Sequence, residues 1–101
     1  MIVKSGVSMY QVHPNIEKLW PTLDRISETH CGRACVVTTC RDGIHSKNSL
    51  HYVGQAIDIR INDLPSDDAK VAYFDEVRRC LGVGYDVVLE HDHIHIEWDP
   101  K

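Results

Sequence analysis

No apolar run in this 101-residue chain approaches the roughly 20 residues that a membrane-crossing helix needs. Positive charge is not in excess either. Eleven Lys and Arg against 15 Asp and Glu leave a formal charge of −4, and the cations are scattered, so the chain lacks the basic field on which nucleic-acid binding depends. Repeats, low-complexity tracts and linkers are missing, and one domain over residues 1–101 is expected, because this length leaves no room for two independent cores. The first residues, Met1-Ile2-Val3-Lys4-Ser5-Gly6, lack the charged and apolar blocks of a secretory signal. The expectation is synthesis in the cytoplasm without a signal peptide, no membrane insertion, and either use there or release by another route. Only four cysteines are present, Cys31, Cys35, Cys40 and Cys80. Their spacings fit no usual zinc knuckle, and a chain with this much core needs no bridges, so mostly buried thiols are expected.

What is present reads as a mixture of helices and strands. Ile16, Leu19, Trp20, Leu23 and Ile26 recur on one helical face. Pro21 either kinks that helix or opens a second segment in its first turn, and Gly32 is a natural stop. Residues 34–38 form a short, apolar, partly β-branched run expected to be a buried strand, and residues 41–50 read as a surface loop. From 56 to 61 the chain alternates, placing Ile57, Ile59 and Ile61 on one face and Ala56, Asp58 and Arg60 on the other. Ser66 is a candidate N-cap for a helix ending at Leu81, with Val71, Phe74, Val77 and Leu81 as the expected buried stripe. Two further strands, 85–89 and 93–98, complete the pattern, the last with His93, His95 and Glu97 opposite Ile94, Ile96 and Trp98. The fold class expected is α+β, with two main helices on a largely antiparallel sheet.

Chemistry gathers in two places. The stretch from Ser49 to Asp58 offers His51 and, seven residues on, Asp58, and the last strand offers His93 and His95. Two strand residues separated by one share a face, with Cα atoms roughly 6.5 Å apart. If the 56–61 strand lies beside the 93–98 strand, Asp58 and His95 meet, and the loop ahead can bring His51 over them. Two imidazoles and a carboxylate suit zinc and leave one position open for water, the form of a catalytic site. Such water needs a proton acceptor, for which Glu90, Asp92 and His93 are candidates, and Arg41 is suited to holding a substrate carboxylate or an oxyanion. The same residues also fit an unmetallated polar sheet face. His13 and His30 read as exposed helix-end residues, and His45 and His91 as possible supports of the site.

The spaced set Ser49, His51, Gly54, Ala56 and Asp58, followed by His93-x-His95, resembles the signatures of the zinc D-Ala-D-Ala carboxypeptidases and their relatives, the peptidase M15 family. That group also includes phage L-alanyl-D-glutamate endolysins and the hedgehog signalling domain. The resemblance implies a hedgehog-like or DD-peptidase-like fold and zinc ligation by His51, Asp58 and His95. It further implies a supporting, substrate-side role for Ser49, and a substrate-binding role for Arg41. For the base the resemblance leaves Asp92 or Glu90, according to which histidine of the pair is matched; Glu90 is favoured, with His93 assisting and Asp92 as the rival.

The reading that follows is a monomeric zinc peptidase that hydrolyses a bond in D-amino-acid-containing peptides of peptidoglycan, with a stem peptide or muropeptide as partner. A phage or prophage product released to the cell wall fits the lack of a signal. The alternative is a non-catalytic zinc-binding recognition module on the same fold. A cysteine hydrolase using Cys40 is the weakest reading, since no orienting third residue is evident.

Overall fold

Alternation between polar and apolar residues decides which side of the sheet meets the helices. A computed structural model describes residues 1–9, 12–40 and 54–100. In chain order these form β1 (Ile2–Val3), α1 (Pro14–Glu17), α2 (Trp20–Cys31), β2 (Val36–Thr39), β3 (Ala56–Arg60), α3 (Asp67–Leu81), β4 (Tyr85–Leu89) and β5 (His93–Trp98). The five strands make one sheet in the order β1-β2-β3-β5-β4. Only the β1–β2 pair is parallel; the others are antiparallel. The expected α+β architecture, with α2 and α3 as the main helices, is what the chain adopts.

Helix boundaries follow local chemistry. His13 precedes Pro14, and its Nδ1 accepts the Asn15 N–H at 3.0 Å, capping the single turn of α1. Pro21 then lies in the first turn of α2, where its missing N–H costs nothing, so the two-segment alternative holds and no kinked helix forms. Gly32 ends α2 in the left-handed conformation. In α3 the Ser66 hydroxyl accepts the Ala69 N–H at 3.1 Å, with Asp67 and Asp68 at the positive end of the helix and Arg78 and Arg79 at the other.

The core lies between the helices and one sheet face. Ile57, Ile59, Ile94, Ile96 and Val37 from the strands pack with Ile16, Leu23, Ile26, Tyr73 and Val77 from the helices, all without exposed surface. The expected stripe on α3 is corrected in two places. Val71 is 45% exposed and Phe74 is only half-buried, whereas Tyr73 is fully buried. Its hydroxyl lies 3.9 Å from Cys35 Sγ, so the polar tip has a partner and the ring can serve as core. The four cysteines form no disulfide; Cys35 and Cys40 are buried and the other two half-buried.

Residues 61–84 carry the chain from β3 to β4, which runs in the same direction as β3 two places away, and β5 returns between them. This return sets β5 against β3 and so decides the site. A bulge in β2, where Val37 faces Ile59 but Thr39 faces Asp58, bends the sheet at the same point.

Candidate functional site

Asp58 and His95 are opposed residues in the β3–β5 ladder. Residues directly opposite in an antiparallel pair project from the same face; here that face is turned away from the helices. Asp58 Oδ1 lies 2.9 Å from His95 Nδ1. The other ring nitrogen, Nε2, lies 2.8 Å from Glu97 Oε1, so the imidazole is bracketed by two carboxylates. Asp58 chiefly, then Glu97, raises the His95 pKa above its ordinary value against an opposing effect of burial.

His93 stands on the same face one strand repeat away. Its Nε2 is 3.8 Å from Asp58 Oδ1, and its Nδ1 is 2.6 Å from Asp92 Oδ1. Hydrogen bonding to His93 holds the exposed Asp92 carboxyl below its usual range. Asp92 occupies the two-residue turn between β4 and β5, and Glu90 opens that turn by donating its N–H to the His93 carbonyl at 2.9 Å. Extending the ladder register by one step places Glu90 across from His93, on the β4 side and exposed.

Between β2, β3 and the turn lies a cleft of about 280 Å³. Asp58, Asp92 and His93 line one side of it, with Lys4, Arg60 and Asn62 and the threonines Thr38 and Thr39 completing the wall. The Thr38 hydroxyl donates to the Asp58 carbonyl at 3.4 Å, tying the bulge to the residue that carries the carboxylate.

Of the residues singled out from sequence, the fold brings Asp58, His93, His95 and Asp92 together and sets Glu90 on the flank. His51, Ser49, Arg41 and His45 lie outside the described residues. His91 is exposed, with its carbonyl accepting from Lys70 Nζ at 3.1 Å. The two helix-end histidines are half-buried, which corrects the expectation of exposure: His13 caps α1, and His30 Nε2 contacts Glu76 Oε1 at 2.8 Å. Cys40 has no exposed surface and belongs to the core, an inert setting for a thiol.

Sequence reasoning assigned no role to Glu97, Asp86 or Asp99. Their carboxylate oxygens lie within 4.8 Å of one another, so this acidic cluster has the spacing to hold a metal ion. The missing signal was the two-residue turn at 91–92. Once it is seen, Glu90 opposes His93, and counting back places Asp86 opposite Glu97. Comparisons with family models, curated proteins and solved structures find no match.

Proposed function

We propose that the protein is a zinc-dependent peptidase that cleaves peptidoglycan stem peptides or muropeptides containing D-amino acids. The observation that carries the reading is the Asp58–His95 pair, backed by Glu97, at the edge of a cleft that also receives His93. Asp58 and His95 present an oxygen and a nitrogen 2.9 Å apart. Two ligands of a tetrahedral zinc with bonds of about 2.0–2.1 Å stand roughly 3.3 Å apart, so a small adjustment would let both grip one ion. A carboxylate on the back nitrogen of a metal-binding imidazole is the usual second contact for such a ligand. His51 is the proposed third ligand, with Ser49 beside it and Arg41 toward substrate, on the motif spacing alone.

Bound zinc would supply a water acidified toward neutrality and a Lewis acid for the scissile carbonyl. The chain's own part is proton handling. Asp92 accepts a hydrogen bond from His93 Nδ1, which leaves Nε2 basic and turned toward Asp58. From there it takes a proton and returns it to the leaving amine. Glu90, across the ladder from His93, is the alternative acceptor. A monomer released to the wall is the form in which this activity would be used.

The test is direct. Zinc content is measured on the wild type and on the Asp58→Ala, His95→Ala and His51→Ala variants, and the zinc-loaded protein is incubated with purified muropeptides followed by mass spectrometry. About one zinc per chain, lost in each variant, together with a single cleaved linkage is expected. Failure to bind zinc sinks the reading, and bound zinc without cleavage of any linkage leaves the recognition-module alternative in its place.

A further inference from the structure

The cleft beside Asp58 and His93 contains two cations that proton handling does not use. Lys4 follows β1, where its N–H donates to the Val37 carbonyl at 3.0 Å. Arg60 ends β3, two residues beyond Asp58 and therefore on the same face. Both side chains line the cleft. Among the described residues neither forms an ion pair within 4 Å, because the acids nearby are engaged elsewhere. Arg33 grips Asp63 with two contacts of 2.6 Å, Asp92 is held by His93 at 2.6 Å, and Asp58 by His95 at 2.9 Å.

Unspent cations on the wall of a polar cleft attract an anion. The guanidinium offers a planar fork that matches a carboxylate with two parallel hydrogen bonds, and an ammonium beside it adds a point charge. Thr39 and Asn62 add neutral groups able to donate hydrogen bonds in the same space. We propose that this end of the cleft anchors a carboxylate of the substrate, with Arg60 and Lys4 as the anchoring residues. This rests on the peptidase reading and gives it a substrate class: peptides that present a carboxylate close to the bond facing Asp58 and His95. The carboxylate comes either from the peptide's C-terminus or from an acidic side chain.

Two peptide pairs separate these sources. One is an N-acetylated peptide ending in D-Ala-D-Ala, as the free acid and as the C-terminal amide; the other is an amide-capped peptide with an internal D-Glu or D-Gln. Binding to the zinc-loaded full chain is measured by NMR titration, and hydrolysis by mass spectrometry in the same samples. Removal of the recognised carboxylate weakens binding by about 10- to 100-fold, the range for a charge-assisted contact. Arg60→Gln and Lys4→Gln together bring that preference close to one, while Arg60→Lys keeps part of it. The proposal is overturned if neither neutralisation shifts binding by more than about twofold, if no peptide of either pair binds, or if the preference survives in the double variant. Cleavage without a preference removes the anchor and spares the peptidase. A preference without cleavage does the reverse.

Discussion

His95 Nε2 lies 2.8 Å from Glu97 Oε1, on the side of the imidazole away from Asp58. Both ring nitrogens face carboxylates, so the protonated ring donates to each; were an ion to take the place of the proton at Nδ1, Glu97 would hold the remaining proton at Nε2 and keep Nδ1 as the ligating nitrogen. Replacing Glu97 with Gln keeps the shape and removes the charge. Zinc affinity, read by competition with a chromogenic chelator, is expected to fall by about 10- to 100-fold, the usual cost of losing such a partner. An unchanged affinity would mean that Glu97 serves the acidic cluster with Asp86 and Asp99 and not the imidazole.

The Asp92–His93 contact at 2.6 Å makes a second prediction. Asp92→Asn is expected to lower kcat by about 10- to 100-fold, within the range for acid–base catalysis, and to displace the acidic limb of the pH profile, with zinc content intact. Glu90→Gln should cost less, because Glu90 stands on the β4 side of His93 and Asp92 shares the cleft. The reverse order of effects returns the role to Glu90.

The strands of the site were legible because a period of two leaves little freedom. Once Ile57 and Ile59 must face the core, Asp58 must face the other way, and the same reasoning holds for His95 between Ile94 and Ile96. Caps were legible too, since Ser66 and Gly32 act within a few residues of themselves. Less visible was whatever depended on a partner distant in sequence. Tyr73 stands at helical spacing with Val77 and Leu81, but its hydroxyl argued against the core until the Cys35 sulfur was seen beside it. Glu97 lay on the predicted face, but its value comes from sharing that face with Asp86, which needs the β4–β5 register. The cations Lys4 and Arg60 come together through β1 pairing with β2, and a two-residue strand has no period to detect.

Asp63 gives the fold a pH dependence remote from the site. Its hydrogen bond from Arg33 holds the carboxyl below the ordinary 3.8. A carboxyl lowered on folding contributes stability that is complete above the unfolded value and is lost as pH falls through the folded value. Asp63→Asn should therefore unfold at lower denaturant concentration than wild type at pH 7, by about 1 kcal/mol or less given that the side chain is 46% exposed. Below about pH 4 the gap narrows as the wild-type carboxyl takes up its proton. A gap independent of pH would assign the effect to packing.

Gly84 and Gly32 both adopt positive φ, at 95° and 68°, yet their surroundings differ. A Cβ on Gly32 meets nothing within 4 Å, whereas one on Gly84 would run into the Trp98 ring. That ring is placed by its pairing with Tyr85, the two centroids 4.9 Å apart, and by the Asp99 N–H donating to the Gly84 carbonyl at 2.8 Å. Gly32→Ala should cost about 1 kcal/mol, the backbone strain alone. Gly84→Ala adds displacement of the indole, bringing the loss to about 2–3 kcal/mol, and because Trp98 ends β5 the change should appear in tryptophan fluorescence before unfolding begins. Equal losses at the two glycines, with fluorescence unaltered, would show that the ring moves aside freely and that the end of β5 is not held by this contact.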